Sequence, residues 1–144
     1  MLRRATLAII LGFPLVAVPA AGQQTLGAVL DAGGKQLSAK EFETEIVQRV
    51  VVGPSPTGGE LEIMYASKGT IAGAGKHPQL TINFMRIGGE WKLDEAERAC
   101  SKMHIGGFTL PYRCQHWFKL ADKYYVSDSD LDRSAKVLSR TIKQ

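Results

Sequence analysis

Cysteine is scarce in this chain, whose 144 residues include only two, Cys100 and Cys114. Neither lies in a Cys-x-x-Cys pattern, so the sequence gives little support to a redox or metal site built on cysteine. Blocks of like charge are also missing, because lysine and arginine are spread among the acidic residues. A nucleic-acid partner is therefore not expected.

Motifs for catalysis and cofactor binding are missing too. Neither Ser101 nor Ser127 lies in the Gly-x-Ser-x-Gly pattern that exposes a nucleophilic serine. Gly73, Gly75 and Lys76 copy part of a phosphate-binding loop, but the last glycine, the hydroxyl residue after the lysine and the following helix are absent. We therefore predict no cofactor and assign no catalytic residue.

Potential metal ligands are present, but not at ligand spacing. The chain has three histidines: His77, His104 and His116. They form no His-x-His or His-x-x-x-His pair, which favours structural or surface roles. Three aspartates repeat the first ligand positions of an EF-hand loop: Asp128, Asp130 and Asp132. Arg133 and Ser139 stand where that loop needs glycine and glutamate, so no metal site is predicted.

The first residues have the pattern of an export signal. Arg3 and Arg4 precede an uncharged, largely apolar stretch that runs from Ala5 to Ala21, and small residues at 20–22 suit a signal peptidase. The alternative is a membrane anchor, but glycine and proline interrupt a run of only about seventeen residues. We predict a signal peptide at 1–22, a periplasmic or secreted product and no membrane span after cleavage. Cleavage lowers the net charge from +4 to +2.

Thirteen residues separate the two cysteines, both of which belong to the predicted mature chain. Such a pair is usually oxidised in an exported protein, so a Cys100–Cys114 disulfide is predicted. Closing a loop of this size stabilises a fold by about 3 kcal/mol in the chain-entropy model.

The mature chain begins with a polar, glycine-bearing segment, which predicts a flexible lead-in at 23–37. Ser38 and Glu41 then form a capping box, which places a helix at about 39–49. Phe42 and Ile46 lie on one face of this helix, and Gly53-Pro54 follows its end. A single domain is expected over 38–144.

After the helix, apolar residues alternate with period two, which indicates β-strands. Leu61, Ile63 and Tyr65 share one face before a turn at 67–69, and Gly88-Gly89 is expected to turn a further hairpin. The resulting fold class is mainly β: one helix followed by an antiparallel meander of six to eight strands, which forms a small or partial β-barrel.

The end of the chain permits two interpretations. Residues 112–120 alternate as a long strand, which turns at 121–123 into a further strand at 124–126. Leu131 and the apolar residues after it fit a helix over 131–142, whereas Val137, Thr141 and Ile142 favour extended backbone. We favour a strand at 135–142, because a meander leaves an edge that a further strand can cover.

Five motifs follow one another in a distinctive order: Leu37-Ser38-Ala39-Lys40-Glu41-Phe42, Gly58-Gly59, Tyr65-Ala66-Ser67-Lys68-Gly69-Thr70, Gly89-Glu90-Trp91-Lys92-Leu93, and Cys100 with Tyr112-Arg113-Cys114. This order resembles the small exported proteobacterial proteins called domain of unknown function 995. The resemblance covers nearly all of the mature chain. It implies an exported, mostly β domain and implies no reaction.

Aromatic residues give the best indication of a binding surface. Trp117, Tyr124 and Tyr125 fall on adjoining strands, with Arg113 on the same face as Trp117. A tryptophan among polar neighbours either packs under the helix or is exposed to a ligand or partner. We therefore take these four residues as candidate binding residues.

Taken together, these features predict an exported, non-catalytic β-barrel domain that binds a small ligand or an envelope protein. Two alternatives stay open. One is a hydrolase that uses His104 or His116 with a nearby carboxylate, and the other is a structural envelope protein without a discrete ligand.

Overall fold

The computed structural model describes residues 24–56, 58–77 and 85–144. The predicted signal peptide at 1–22 lies outside these residues, as does the segment 80–84, in which Leu80, Ile82 and Phe84 alternate with polar residues. Within the described ranges, neither the length nor the hydropathy of any helix is enough to cross a bilayer.

The described residues form two short helices and ten strands. The helices are α1 (Leu26–Asp31) and α2 (Ala39–Glu45). The strands are β1 (Lys35–Gln36), β2 (Val50–Pro54), β3 (Glu60–Tyr65), β4 (Thr70–Lys76), β5 (Met85–Leu93), β6 (Ala99–Ile105), β7 (Phe108–Thr109), β8 (Arg113–Leu120), β9 (Lys123–Ser127) and β10 (Leu138–Ile142).

Eight strands close into an antiparallel barrel. β2 to β6 pair in chain order, β6 pairs with β8, and β8, β9 and β10 lead back to β2. The short strands β1 and β7 add to β8 and β6 outside this ring. The predicted fold class, a helix with a six- to eight-stranded meander in a small β-barrel, is confirmed.

Three junctions between barrel strands are short. β10 shares two residue pairs with β2 and three with β9, and β6 shares three with β8. Cys100 and Cys114 are the middle pair of the β6–β8 junction and are joined by the predicted disulfide. The covalent bond therefore reinforces a place where few backbone hydrogen bonds close the barrel.

Helix α2 begins where the capping box predicts. The Ser38 hydroxyl accepts a hydrogen bond from the Glu41 amide at 3.2 Å, and the Glu41 carboxylate accepts one from the Ser38 amide at 2.8 Å. The helix ends at Glu45, earlier than the predicted 49. Gln48 has a φ of 65° and donates its amide to the Tyr65 carbonyl at 2.8 Å, so the chain has already left the helix there and turned toward β3.

The prediction of a flexible lead-in at 23–37 is corrected by α1 and β1. Thr25 caps α1 by accepting from the Ala28 amide at 3.3 Å. Leu26 and Val29 are fully buried against Phe118 in a second apolar cluster, separate from the one inside the barrel. The physical reason is that Leu26, Val29 and Leu30 form a short apolar helix face within an otherwise polar segment.

Strand β10 decides the ambiguity at the end of the chain. Leu138 pairs with Val126 of β9 and Thr141 pairs with Val52 of β2, so the last strand completes the barrel. The predicted strand is confirmed and the helical alternative is wrong. Leu131, which a helix would have buried, is 86% exposed.

The hairpin predicted at Gly88-Gly89 is also wrong, because β5 runs straight through both glycines. A Cβ at Gly89 would lie 2.1 Å from the Lys102 carbonyl oxygen of β6. Glycine is required there by the close approach of the neighbouring strand rather than by a turn. The predicted turn at 67–69 does occur, with Gly69 at a φ of 83°.

Aromatic side chains fill the barrel beneath α2. Phe42 is buried, and its ring centroid lies 5.5 Å from that of Tyr65, 5.6 Å from Trp91 and 5.3 Å from Trp117. Rings at these separations, mostly edge to face, add attraction beyond the burial of their area. Helix α2 therefore closes this end of the barrel by inserting Phe42 into its core.

A polar cluster also fastens α2 to the barrel. One Glu45 carboxylate oxygen accepts from the Lys119 ammonium at 2.6 Å and from the Tyr124 hydroxyl at 2.7 Å. The hydrogen bond from Lys119 is the main cause that lowers the pKa of Glu45 below its ordinary value of 4.5. The contact links the last residue of α2 to β8 and β9.

We expect Glu45→Gln to reduce the free energy of unfolding by about 1 kcal/mol at pH 7, because the ion pair is partly screened by water. Since folding lowers the pKa of Glu45, its contribution is present above 4.5 and is lost as the pH falls through the lowered value. Urea unfolding at pH 7 and pH 3 checks this, and the difference between the two proteins should shrink at pH 3.

The matched control is Glu62→Gln, which removes the exposed ion pair between Glu62 and Lys143 at 3.1 Å. We expect that change to reduce the free energy of unfolding by less than about 0.5 kcal/mol. Equal effects of the two substitutions, or a Glu45→Gln deficit that persists undiminished at pH 3, would contradict the role given to Glu45.

Candidate binding surface

The aromatic residues predicted to bind a partner lie inside the protein. Trp117 is 3% exposed, and Tyr124 and Tyr125 are also buried. Trp117 and Tyr124 belong to the barrel interior, whereas Tyr125 packs beneath α1. Packing, the other possibility open to Trp117, is the arrangement found, so these three rings offer no recognition surface.

Arg113, the fourth candidate, is exposed but already engaged. Its Nε donates to Asp128 Oδ1 at 2.9 Å and its Nη2 donates to Asp128 Oδ2 at 2.6 Å. Gln115 donates to the same carboxylate at 3.2 Å. Arg113 is the main cause that lowers the pKa of Asp128, so the pair stays charged at neutral pH.

The largest exposed apolar side chains of the described residues lie mainly in one place, between the two cysteines. Phe108 is 76% exposed, Leu110 43% and Tyr112 48%. We call these three residues the apolar tip. They recur at every second position, and they follow a turn at Gly106-Gly107, whose φ angles are 55° and 91°. This alternation of apolar residues is the sequence signal for the tip.

The apolar tip is held by its surroundings. Phe108 pairs with Ile105, and the amide of Leu110 donates to the Met103 carbonyl at 2.8 Å. His104 Nδ1 lies 2.8 Å from the Thr109 hydroxyl, and the disulfide joins the base of the segment. The exposed rings are thus presented on an anchored backbone, which lowers the entropy lost when a partner binds.

Charged groups of both signs lie beside the tip. The Lys92 ammonium lies 5.6 Å from the centroid of the Tyr112 ring, a cation–π arrangement. Lys102 is exposed on the neighbouring strand β6. Glu90 of β5 is exposed and lies opposite Lys102. The surface around Tyr112 therefore combines apolar area with two lysines and one carboxylate.

A comparison of the chain with protein-family models, curated proteins and solved structures finds no match in any of the three.

The hydrolase alternative depends on the histidines. His116 is buried, with Nδ1 3.0 Å from the Gln36 side-chain nitrogen and Nε2 3.8 Å from Asp130 Oδ1. Because Gln36 can only donate to Nδ1 through this nitrogen, the proton of a neutral imidazole lies on Nε2, toward Asp130. The ring thus has a carboxylate neighbour, but both of its nitrogens face other groups.

Ser127 lies directly across from His116 on β9 and is the nearest candidate nucleophile by register. Its hydroxyl is buried and donates to the Ser129 carbonyl at 2.6 Å. A nucleophile must instead hydrogen-bond to its base and reach a substrate. His104 is exposed and bonded to Thr109, and no described carboxylate lies within 4.0 Å of it. The geometry therefore gives the hydrolase alternative no support.

Two further groups could hold a ligand. Asp94, Cys100 and Cys114 place ligand atoms within 4.8 Å of one another, but both sulfurs are in the disulfide and are not thiolates. A cleft of about 300 Å³ lies between α2, β1 and β8. Glu45 and Lys119 in its lining bind each other, and Glu41 caps α2. Of its charged groups, only the exposed Lys35 lacks an ion-pair partner among the described residues, and one surface lysine does not make a ligand site.

Proposed function

We propose that this protein is an exported, non-catalytic binding domain whose apolar tip contacts an envelope protein. The barrel is compatible with such a role, and the exposure of Phe108, Leu110 and Tyr112 is the observation that carries the proposal. Large apolar side chains grouped on a surface are typical of interaction sites. Aromatic residues held in place also account for much of the binding energy in protein interfaces.

Export is supported by two independent features. The Cys100–Cys114 disulfide is stable in an oxidising compartment and uncommon in a reducing cytosol. The pattern at 1–22, two arginines followed by an apolar stretch, is that of a signal peptide. Membership of the exported family called domain of unknown function 995 is part of the same proposal.

The partner surface should be concave, partly apolar and acidic. Phe108 needs an apolar pocket, and Lys92, which has no ion-pair partner among the described residues, favours a carboxylate beside that pocket. A small ligand within the barrel is less favoured at the α2 end, because Phe42 and its aromatic neighbours occupy that space.

The test is a triple variant, Phe108→Ser, Leu110→Ser and Tyr112→Ser, used beside the wild-type protein in pull-downs from envelope extract. We expect the captured partner to be lost, with an affinity at least tenfold weaker when that partner is purified and titrated. Thermal stability should change little, because the substituted side chains are exposed.

The matched control is Leu131→Ser, which removes a single exposed apolar side chain outside the apolar tip. It should bind the partner like the wild-type protein. If the triple variant recovers the same partner with unchanged affinity, the apolar tip is not the contact surface. If the tip is needed only for cosedimentation with lipid vesicles, the surface it recognises is a membrane and the proposal is wrong.

A further inference from the structure

Arg140 is a buried cation on the inner side of the barrel. It lies on β10 opposite Tyr124, whose side chain belongs to the interior cluster, and it is only 5% exposed. Its Nη1 donates to the carbonyls of Pro54 and Ser139, each at 2.9 Å. A Cβ on Gly53 would lie 2.3 Å from the Ser139 carbonyl oxygen and 2.8 Å from Nη1, so glycine at this position makes room for the β10 backbone as well as the guanidinium.

No acidic group of the protein neutralises Arg140. All 14 aspartates and glutamates lie in the described ranges. None of the ion pairs among the described residues includes Arg140. A guanidinium stays protonated in proteins, and a buried charge without a counter-ion is costly. Within the described ranges, the hydrogen-bond acceptors of the Arg140 charge are therefore backbone carbonyls alone.

The nearest polar side chains do not replace the missing anion. Burial raises the pKa of Tyr65 to about 12, so this phenol is neutral at physiological pH. Arg113 adds to the effect of burial in lowering the pKa of Arg140, because it is a second cation nearby. Asp128 balances the charge of Arg113, so Arg140 keeps the uncompensated positive charge of this region, which favours an added anion.

One edge of the guanidinium is open. Both hydrogen bonds of Arg140 within the described part of the chain come from Nη1, which leaves Nε and Nη2 without a protein acceptor there. No fully buried side-chain nitrogen or oxygen of the described residues lacks a partner, so these donors reach solvent. Arg113 shows the contrast, since its Nε and Nη2 are the two atoms that bind Asp128.

We propose that the Nε–Nη2 edge of Arg140 is the anchor of an oxyanion site in the barrel wall, which binds one carboxylate or phosphate group of a small ligand. This edge makes two parallel hydrogen bonds with such groups. The site shares no residue with the apolar tip. An experiment that contradicts one of the two proposals therefore leaves the other untouched.

The direct test follows the Nε–H signal of Arg140 in the wild-type protein by NMR. Sodium acetate and sodium phosphate are the probes, titrated against sodium chloride at equal ionic strength. We expect a saturable shift of the Arg140 signal with acetate, phosphate or both, and a much smaller change for Arg113. The probe that binds more tightly identifies the carboxylate or the phosphate as the preferred group.

The same titration can overturn the proposal. A site with a Kd of 1 mM is about nine-tenths filled at about 10 mM probe. If neither probe shifts the Arg140 signal beyond the effect of chloride at that concentration, Arg140 only ties β10 to β2. The same conclusion follows if Arg113 shifts as much as Arg140, because the effect is then general screening.

Arg140→Lys provides a second measurement. Lysine keeps the positive charge but loses the two-pronged edge. If this variant folds, the affinity for the preferred probe should fall at least tenfold, and the control Arg113→Lys should bind it as the wild-type protein does. Retention of full affinity by Arg140→Lys contradicts the proposal. If the variant does not fold, the wild-type titration alone decides.

Discussion

Replacing Phe42 with alanine is expected to reduce the free energy of unfolding by about 4 kcal/mol, the usual cost of removing a buried phenylalanine. Phe42 is buried, and its ring touches those of Tyr65, Trp91 and Trp117. The three remaining rings cannot fill the space without moving the strands that carry them. The variant should also lose near-ultraviolet circular dichroism, because the fixed arrangement of the aromatic rings depends on this side chain.

Urea unfolding measures the effect, and two variants calibrate it. Phe42→Leu keeps most of the apolar volume. Its free energy of unfolding should fall by about half as much as that of Phe42→Ala. Glu43→Ala changes the exposed neighbour on the same helix and should stay within about 0.5 kcal/mol of the wild-type protein. A loss below about 1 kcal/mol for Phe42→Ala would mean that α2 does not close the barrel core.

Local patterns were sufficient to predict much of the fold. Ser38 and Glu41 fix the start of α2, because the capping bonds form within four residues. The alternation of Leu61, Ile63 and Tyr65 likewise identifies β3 and the side that faces the core. Both signals depend on the chain alone, and neither needs knowledge of distant partners.

The errors come from contacts between distant segments. Gly89 resembles a turn residue, but the reason for glycine there is the carbonyl of Lys102 on the adjacent strand. Leu26 and Val29 resemble part of a polar lead-in until Phe118 is placed beside them. In each case the deciding neighbour is far away in the sequence. The helical spacing of Leu26, Val29 and Leu30 is a local signal, but it does not show what covers that face.

The candidate sites were the hardest part to predict. Alternation correctly puts Trp117 and Phe118 on opposite faces of β8. The polar residues on the face of Trp117, however, are typical of a solvent-exposed face. In a closed barrel the inner side is apolar in the middle and can be polar toward the ends, so polar neighbours do not show that a residue is exposed. Arg140 follows the same rule, because only the closure of β10 on β2 places its charge inside.

The second large effect is expected when both cysteines are replaced. Cys100→Ala with Cys114→Ala should reduce the free energy of unfolding by about 3 kcal/mol, because the unfolded chain regains the freedom of a loop of about fifteen residues. The loss of stability should be greatest at the β6–β8 junction, which has only three residue pairs. Hydrogen exchange should therefore quicken first at Ser101 and Gln115, before the strands of the well-paired β3–β4 junction respond.

The same variant links stability to the proposed contact. The apolar tip lies between the two cysteines, so opening the disulfide frees the segment that presents Phe108. Binding must then restrict a more mobile backbone, and the affinity for the envelope partner should fall even where the protein is fully folded. Measuring that affinity at a temperature well below unfolding separates the two effects. Unchanged affinity there, with Phe108 still required, would show that β6, β7 and their hydrogen bonds hold the tip without help from the disulfide.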